Sequence, residues 1–472
     1  MDSTPIVRAL REASHRPHVA FYTPGHKRGA GSPLRSWWGD DVLAADLPEL
    51  PELDNLFSPT GPIQAAQQLA AATFGAADTW FLTNGSTAGV IAAILATCDP
   101  GDRVILPRNV HQSVVSGLIL SGALPVFVPP VYSPQWGIAM GVSPEAIAAA
   151  LTATPDAKAI LVVSPTYYGT CSDLQAIARI AHDHGVPLLV DEAHGPHFVA
   201  HPDLPMTALE AGADVAVQST HKTLSALTQS AMVHRQGNYI SANRLSQSLQ
   251  LVQSTSPNYL LLASLDAARQ QLAMEGNALL SEVLALGRMA REPLETLSRL
   301  QVLTPAVAAP FALDLTRLTV NVSGLGLTGF AADEWLHARG VTAELPEARS
   351  LTFVLSLGNC AADVERLVEA FTQLVDETSG DKAVPIQGEL PLPLLGCSPR
   401  EAFFAEGETV TASRAIGRIS KATISPYPPG IPALLPGEVI SAEITSQLKA
   451  IAANGGVITG CDASLDSLLV VK

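Results

Sequence analysis

The sequence predicts an α/β fold with an open, mostly parallel sheet, followed by a smaller α+β domain and a small C-terminal domain. Three observations carry that expectation. Between residues 63 and 300, short β-rich runs alternate with alanine-rich helical stretches, the pattern of strands joined by helical crossovers. Polar, chemistry-bearing residues follow those runs closely, and open α/β sheets bind ligands at the carboxyl ends of their strands. The chain has 472 residues, 47% hydrophobic and 15% charged, which suits two or three globular domains with a sizeable core.

In chain order, residues 1–62 read as an N-terminal arm. A short helix is expected over 6–13, and FYTPGHKRGAGSP then breaks regular structure with glycine and proline. That stretch holds His26, Lys27 and Arg28, either an ordered anion-facing loop or a solvated basic turn. Residues 63–300 form the large domain: a helix over 64–74 and a strand over 79–82 lead into TNGSTAGVIAAILAT. There Asn84-Gly85 makes a turn, and Ser86 and Thr87 can cap a helix over 88–96. A helix N-terminus with a glycine and two hydroxyls is an anion site or an ordinary cap. Further strands are expected over 102–106, 124–128, 158–163, 187–190, 214–218 and 231–234. His111 follows the first of these at a helix start, SPTYYGT follows 158–163, and DEAHGPH closes 187–190. A helix is expected over 174–184, another over 245–253, and a long one after QSTSPNYLLL, with the stretch 277–297 interrupted by Pro293. Residues 301–377 read as the small α+β domain, 378–397 as a linker and 398–472 as the C-terminal domain.

Composition excludes several classes of function. The net charge of −16 argues against a nucleic-acid partner. The five cysteines are scattered without a CxxC pair, so neither a disulfide framework nor a metal site is indicated, and a reducing cytoplasm is the simplest compartment. The N-terminus lacks an apolar signal core, and no apolar run suggests a membrane span.

The expected strand 214–218 runs into Ser219, Thr220, His221 and Lys222. A lysine at a concave strand end can condense with an aldehyde cofactor. Asp191 directly follows the expected strand 187–190, and a carboxylate beside such a lysine is what pyridoxal 5'-phosphate requires. The lysine would anchor the aldehyde, while the carboxylate would keep the pyridine nitrogen protonated. His111 could stack on the ring, and Ser86, Thr87 and Ser219 could hold the phosphate, aided by a helix dipole. His221 could meet the phosphate or move protons. Each of these residues alone also has an ordinary structural reading; their convergence on strand ends carries the inference.

The stretches TPGHKRG, TNGSTAG, RNVHQS, SPTYYG, VDEAHG, QSTHK, STSPNYLLLASLDAAR, SPREAFF and GRISKATISPYPPGIPALLPGE resemble the ornithine/lysine/arginine decarboxylase family of fold-type-I pyridoxal-phosphate enzymes. QSTHK with DEAHG points to the superfamily, and the PYPPGIP segment is similar to this family's C-terminal domain. The resemblance implies Lys222 as the Schiff-base lysine, Asp191 on the pyridine nitrogen and His111 on the ring face. It implies Ser86, Thr87, Ser219 and His221 around the phosphate, with Ser254 or Thr255 reaching the phosphate of a neighbouring subunit in an obligatory homodimer or higher homo-oligomer. His194 stands where the long family members carry a tryptophan, and the chain is similar to short members without the receiver-like domain. The implied reaction is decarboxylation of arginine or lysine, or of ornithine, to an amine and CO2 for polyamine metabolism. Glu438 and His26 are the candidates to receive the substrate's distal cation. Two alternatives stay open: an aminotransferase or carbon–sulfur lyase of the same fold type, and a non-catalytic member. The first would want a carboxylate-binding arginine in the small domain, for which Arg349 is the candidate.

Overall fold

The computed structural model describes residues 4–380, 384, 391–427, 430–462 and 464–472. Parts of the expected linker (381–383 and 385–390) and Pro428 and Pro429 of PYPPGIP lie outside the described residues. Strands alternate with helices as expected: β1 (Asp78–Leu82), β2 (Arg103–Pro107), β3 (Leu124–Val128), β4 (Ala157–Val163), β5 (Leu188–Asp191), β6 (Val215–Gln218) and β7 (Ala231–Arg235). The chain divides into two compact units, Met1–Ala96 with Leu189–Leu280, and Thr97–Leu188 with Ser281–Lys472.

In the first unit, β1 pairs antiparallel with β7, β7 antiparallel with β6, and β6 parallel with β5. β5 and β6 are buried at every residue, which is why they read as continuous apolar runs and not as alternating ones. The helix Gly85–Thr97 follows β1. Gly89 lets it lie close to the sheet, since a Cβ there would stand 2.7 Å from methyls of Val217 and Val233. Ser86 and Thr87 sit in the first helical turn, where a cap ahead of a later helix was expected; Gly85, at φ +74°, makes the turn one step earlier. The N-terminal segment is anchored: the helix Pro5–His15 buries Ile6, Leu10 and Ala13, and the Ile6 amide donates to Asp266 Oδ2 at 2.9 Å. Asp266 lies on the helix Tyr259–Thr296, which continues through Pro293 and so corrects the expected interruption. The proline stands in the last turn, so the bond it cannot donate to the Met289 carbonyl is followed by only three more helical residues.

In the second unit, β2 pairs parallel with both β3 and β4. A four-stranded sheet of Gln301–Val302, Arg317–Asn321, Ser350–Val354 and Leu345–Pro346 packs with the helices Gly329–His337 and Ala361–Glu377, giving the expected α+β part. The C-terminal segment pairs Gly407–Thr411 with Ser467–Val471 around its own core of Ile424, Leu434, Ile440, Ile444 and Leu448. Among the described residues, no helix is long and apolar enough to cross a membrane.

Candidate active site

The first unit brings together most of the residues expected from sequence. β6 ends at Gln218, and its continuation is the short helix Thr220–Thr223, which carries Lys222. Lys222 Nζ lies 3.0 Å from His194 Nε2, so the lysine reaches back to the loop after β5. Asp191, the last residue of β5, is buried and accepts the Ala193 amide through Oδ1 at 3.2 Å. Among the described residues no ion pair reaches that carboxylate. Ser219 Oγ donates to Ser86 Oγ at 2.6 Å, joining the lysine loop to the helix N-terminus after β1. The first-turn amides of a helix have no intrahelical acceptors, so the serine pair adjoins donors suited to an anion. Thr87 is exposed beside it.

His221 Nδ1 donates to the Ser230 carbonyl at 2.9 Å, which leaves Nε2 as the acceptor nitrogen of the neutral ring. Burial pulls its pKa down, the Ser230 carbonyl raises it in part, and Lys222 lowers it further. His221 is therefore suited to accept a proton at Nε2. Ser254 and Thr255 are exposed on a loop tied to the same turn: the Ser254 amide donates to Asn84 Oδ1 at 3.2 Å, and the Thr83 amide to Gln253 Oε1 at 3.1 Å.

A buried row of four polar side chains was not visible in the sequence reading. Glu192, next to Asp191, accepts the Ala208 amide at 2.7 Å and Gln218 Nε2 at 2.8 Å. Gln218 Oε1 in turn accepts from His234 Nε2 at 3.0 Å, and His234 Nδ1 pairs with Thr79 Oγ1 at 2.8 Å. This buried row crosses β5, β6, β7 and β1 and fixes the strand ends that carry Asp191 and Ser219. Glu192 lies inside DEAHG and Gln218 inside QSTHK, but neither motif shows the contact between them. Burial pushes the Glu192 carboxyl up to about 7 and the His234 imidazole down to about 3. A carboxyl whose pKa is raised on folding favours the folded state while protonated, so its contribution is full below the unfolded value of 4.5 and is lost as pH rises through about 7. The loss is about 3 kcal/mol. Glu192→Gln does not titrate, so denaturant unfolding at pH 5 and pH 8 is expected to show a smaller loss of stability in the variant. Equal losses in both proteins would exclude Glu192 as the titrating group.

The second unit holds His111 and Glu438. His111 caps the helix Gln112–Ser121, its Nδ1 accepting the Ser113 amide at 3.1 Å. The expectation that Glu438 meets a substrate cation finds a different partner. Glu438 is fully buried and is not an exposed turn residue, and its Oε2 lies 3.0 Å from Arg108 Nη2. His26, in the first unit, is likewise engaged: Nε2 pairs with Asp46 Oδ2 at 3.0 Å and Nδ1 accepts the Gly29 amide at 2.9 Å. Arg349, the candidate for an aminotransferase, spends its guanidinium on the Gln135 and Val384 carbonyls and on Ser323 Oγ. Among the described residues no cluster of three metal-ligating side chains occurs.

The buried Asp191 carboxylate, with no cation beside it among the described residues, the amine beside an imidazole and the hydroxyl pair at a helix N-terminus fit a cofactor with a cationic ring, an aldehyde and an anionic tail. Comparison with known proteins gives the family. The family model "Orn/Lys/Arg decarboxylase, major domain" matches residues 4–315, and the C-terminal domain model matches 396–461. An arginine decarboxylase of Bacillus subtilis is 38% identical, covering 99% of this chain and 98% of the relative. A lysine decarboxylase of Pseudomonas aeruginosa is 26% identical, over 92% of this chain and 73% of the relative. The solved lysine decarboxylase of Francisella novicida superposes with a TM-score of 0.85 at 23% identity, over 99% of this chain and 81% of that one, and shares its fold. The chain belongs to the Orn/Lys/Arg decarboxylase family, and the enzyme is a decarboxylase.

Proposed function

We propose that this enzyme decarboxylates L-arginine to agmatine, with pyridoxal 5'-phosphate as cofactor, as a cytoplasmic homodimer. The observation that carries the reading is the grouping of Asp191, His194, Ser219 with Ser86, and Lys222 at the ends of β1, β5 and β6. The choice of arginine is supported by the full-length similarity to an arginine decarboxylase, against a lower and partial similarity to lysine decarboxylases.

When bound, the cofactor supplies an electron sink for the pair left behind as CO2 departs. Lys222 would hold it covalently and Asp191 would pair with its ring nitrogen. Ser86, Thr87 and Ser219 would hold its phosphate, and His111 would lie on its ring face. The chain's own contribution is then to orient and to move protons. His194 Nε2, 3.0 Å from Lys222 Nζ, can take a proton from the amine and return it. His221 Nε2 is a second acceptor nearby in sequence, kept neutral by burial. Ser254 and Thr255, exposed beside the Asn84 turn, would reach a partner subunit's phosphate. The exposed aromatic side chains of Phe21 and Trp37, at 93% and 85% of full exposure, suit burial against a second copy.

Purified protein supplied with pyridoxal phosphate and, separately, arginine, lysine and ornithine is expected to release agmatine from arginine faster than cadaverine or putrescine from the others. Cadaverine or putrescine as the main product would move the substrate assignment within the family. A keto acid or sulfide in place of an amine would overturn the reading.

A further inference from the structure

We infer that the C-terminal domain holds His111 in place by gripping the helix Gln112–Ser121 at three points, with Arg108, Arg400 and Glu438 as positioning residues. The inference rests on the proposed role of His111 against the cofactor.

The first grip lies just ahead of the helix. Arg108 follows β2 directly and stands three residues before His111. Its Nη1 donates to the Pro432 carbonyl at 2.8 Å, and its Nη2 to the Ala433 carbonyl at 3.1 Å and to Glu438 Oε2 at 3.0 Å. Glu438 Oε2 also accepts the Leu435 amide at 2.7 Å, which closes the 435–438 turn around the carboxylate. The guanidinium lies over the Phe127 ring, 5.0 Å from its centroid. Arg108 and Glu438 are both buried, so the pair is shielded from solvent screening. Burial pushes the Glu438 carboxyl up, and Arg108 pulls it back toward ionisation.

The second grip is apolar. Leu435, fully buried, packs with Val115 and Ile119 on the face of the helix, and Phe127 packs against the same cluster. The third lies at the helix end. Arg400 Nη1 donates to the Ile119 and Leu120 carbonyls at 3.0 and 2.9 Å, where the last turn lacks intrahelical donors and favours a cation. Arg400 sits in the short helix Pro399–Phe404, itself fixed by a reciprocal cap between Ser398 and Glu401. A helix held ahead of its start, on its face and at its end is restrained against sliding and rotation, and the N-cap residue is restrained with it. A misplacement of about 1 Å at a reacting centre can cost on the order of 100-fold in rate.

The test uses the full-length holoenzyme with four variants: Glu438→Gln, Arg400→Ala, His111→Ala and Asp462→Asn. Arg400 is exposed, so its alanine variant keeps the test alive even where loss of the buried ion pair prevents folding of Glu438→Gln. Asp462 organises the C-terminal loop ahead of Ser467 through Ser464 and Ser467 and serves as the control for general destabilisation. The readouts are kcat and KM for arginine, and the visible circular dichroism of the bound cofactor, which reports how its ring is held. Glu438→Gln and Arg400→Ala are expected to lower kcat about tenfold and about threefold, to leave KM within about twofold, and to shift the visible dichroism in the direction of His111→Ala. Asp462→Asn is expected to move the melting temperature alone. If His111→Ala changes both readouts and neither grip variant does, the inference is overturned while the proposed function stands. If His111→Ala changes nothing, the role of His111 in the proposed function fails, and the inference with it.

Discussion

Lys222→Ala is expected to reduce decarboxylation by on the order of 1,000-fold or more, the scale lost when a covalent catalytic group is removed. It should also abolish the visible absorbance that marks a covalently held cofactor. The argument is positional. Lys222 lies on the short helix Thr220–Thr223 directly after β6, and its amine is held 3.0 Å from His194 Nε2. Asp191 ends the adjacent parallel strand, with Val217 of β6 beside it in register. The helical turn is packed through Thr220 and Thr223, which are buried, while Lys222 itself is half-buried, so truncation should leave the fold intact. Far-ultraviolet dichroism and the unfolding midpoint check that point. Lys222→Arg keeps the positive charge but has no amine able to condense with an aldehyde, so it should be as inactive as Lys222→Ala. A Lys222→Arg enzyme with near-normal turnover would sink the covalent role and leave only an electrostatic one.

The fold was legible because its strands announce themselves. β5 and β6 are apolar runs that stop at polar residues, and those polar residues line the candidate site. Asp191, Ser219 and Lys222 lie where the sequence predicts them, each a strand end or close to one. Sequence reasoning missed the helix Pro144–Ala153, although Ser143, Pro144 and Glu145 form an ordinary helix start there. It also missed the hairpin Val131–Ser133 with Ile138–Gly141, whose short strands carry no periodic signal. Pro293 was read as a break because a proline inside a helix usually is one; its place in a final turn is a tertiary fact. The partners of Glu192 and Glu438 escaped for a different reason. Gln218 lies 26 residues from Glu192, and Arg108 lies 330 from Glu438, so only folding makes them neighbours. Burial is invisible for the same reason, and a glutamate in a Pro-Gly turn reads as exposed until the chain closes over it.

Asp191→Asn is expected to lower kcat by about 100- to 1,000-fold, the range seen when one preorganised electrostatic partner of a developing charge is removed. Covalent capture of the cofactor by Lys222 should survive. The two effects separate because Asp191 and Lys222 act on different atoms of the proposed cofactor. The Asp191 carboxylate is buried and, among the described residues, accepts a short-range amide from Ala193 at 3.2 Å and has no ion pair. An isolated buried carboxylate is expensive, and it is retained where a cationic ligand group offsets the desolvation. Asparagine preserves the shape and can still accept the Ala193 amide, but it supplies no charge to hold a proton on a pyridine nitrogen. Binding of pyridoxal phosphate to Asp191→Asn should therefore keep its visible band, weakened in affinity, while turnover falls. Asp191→Glu tests placement: it restores the charge, and on a residue fixed by β5 the extra methylene should recover only part of the rate. An Asp191→Asn enzyme with unchanged kcat would show that the electron sink does not depend on this carboxylate, and would return the buried charge to a purely structural role.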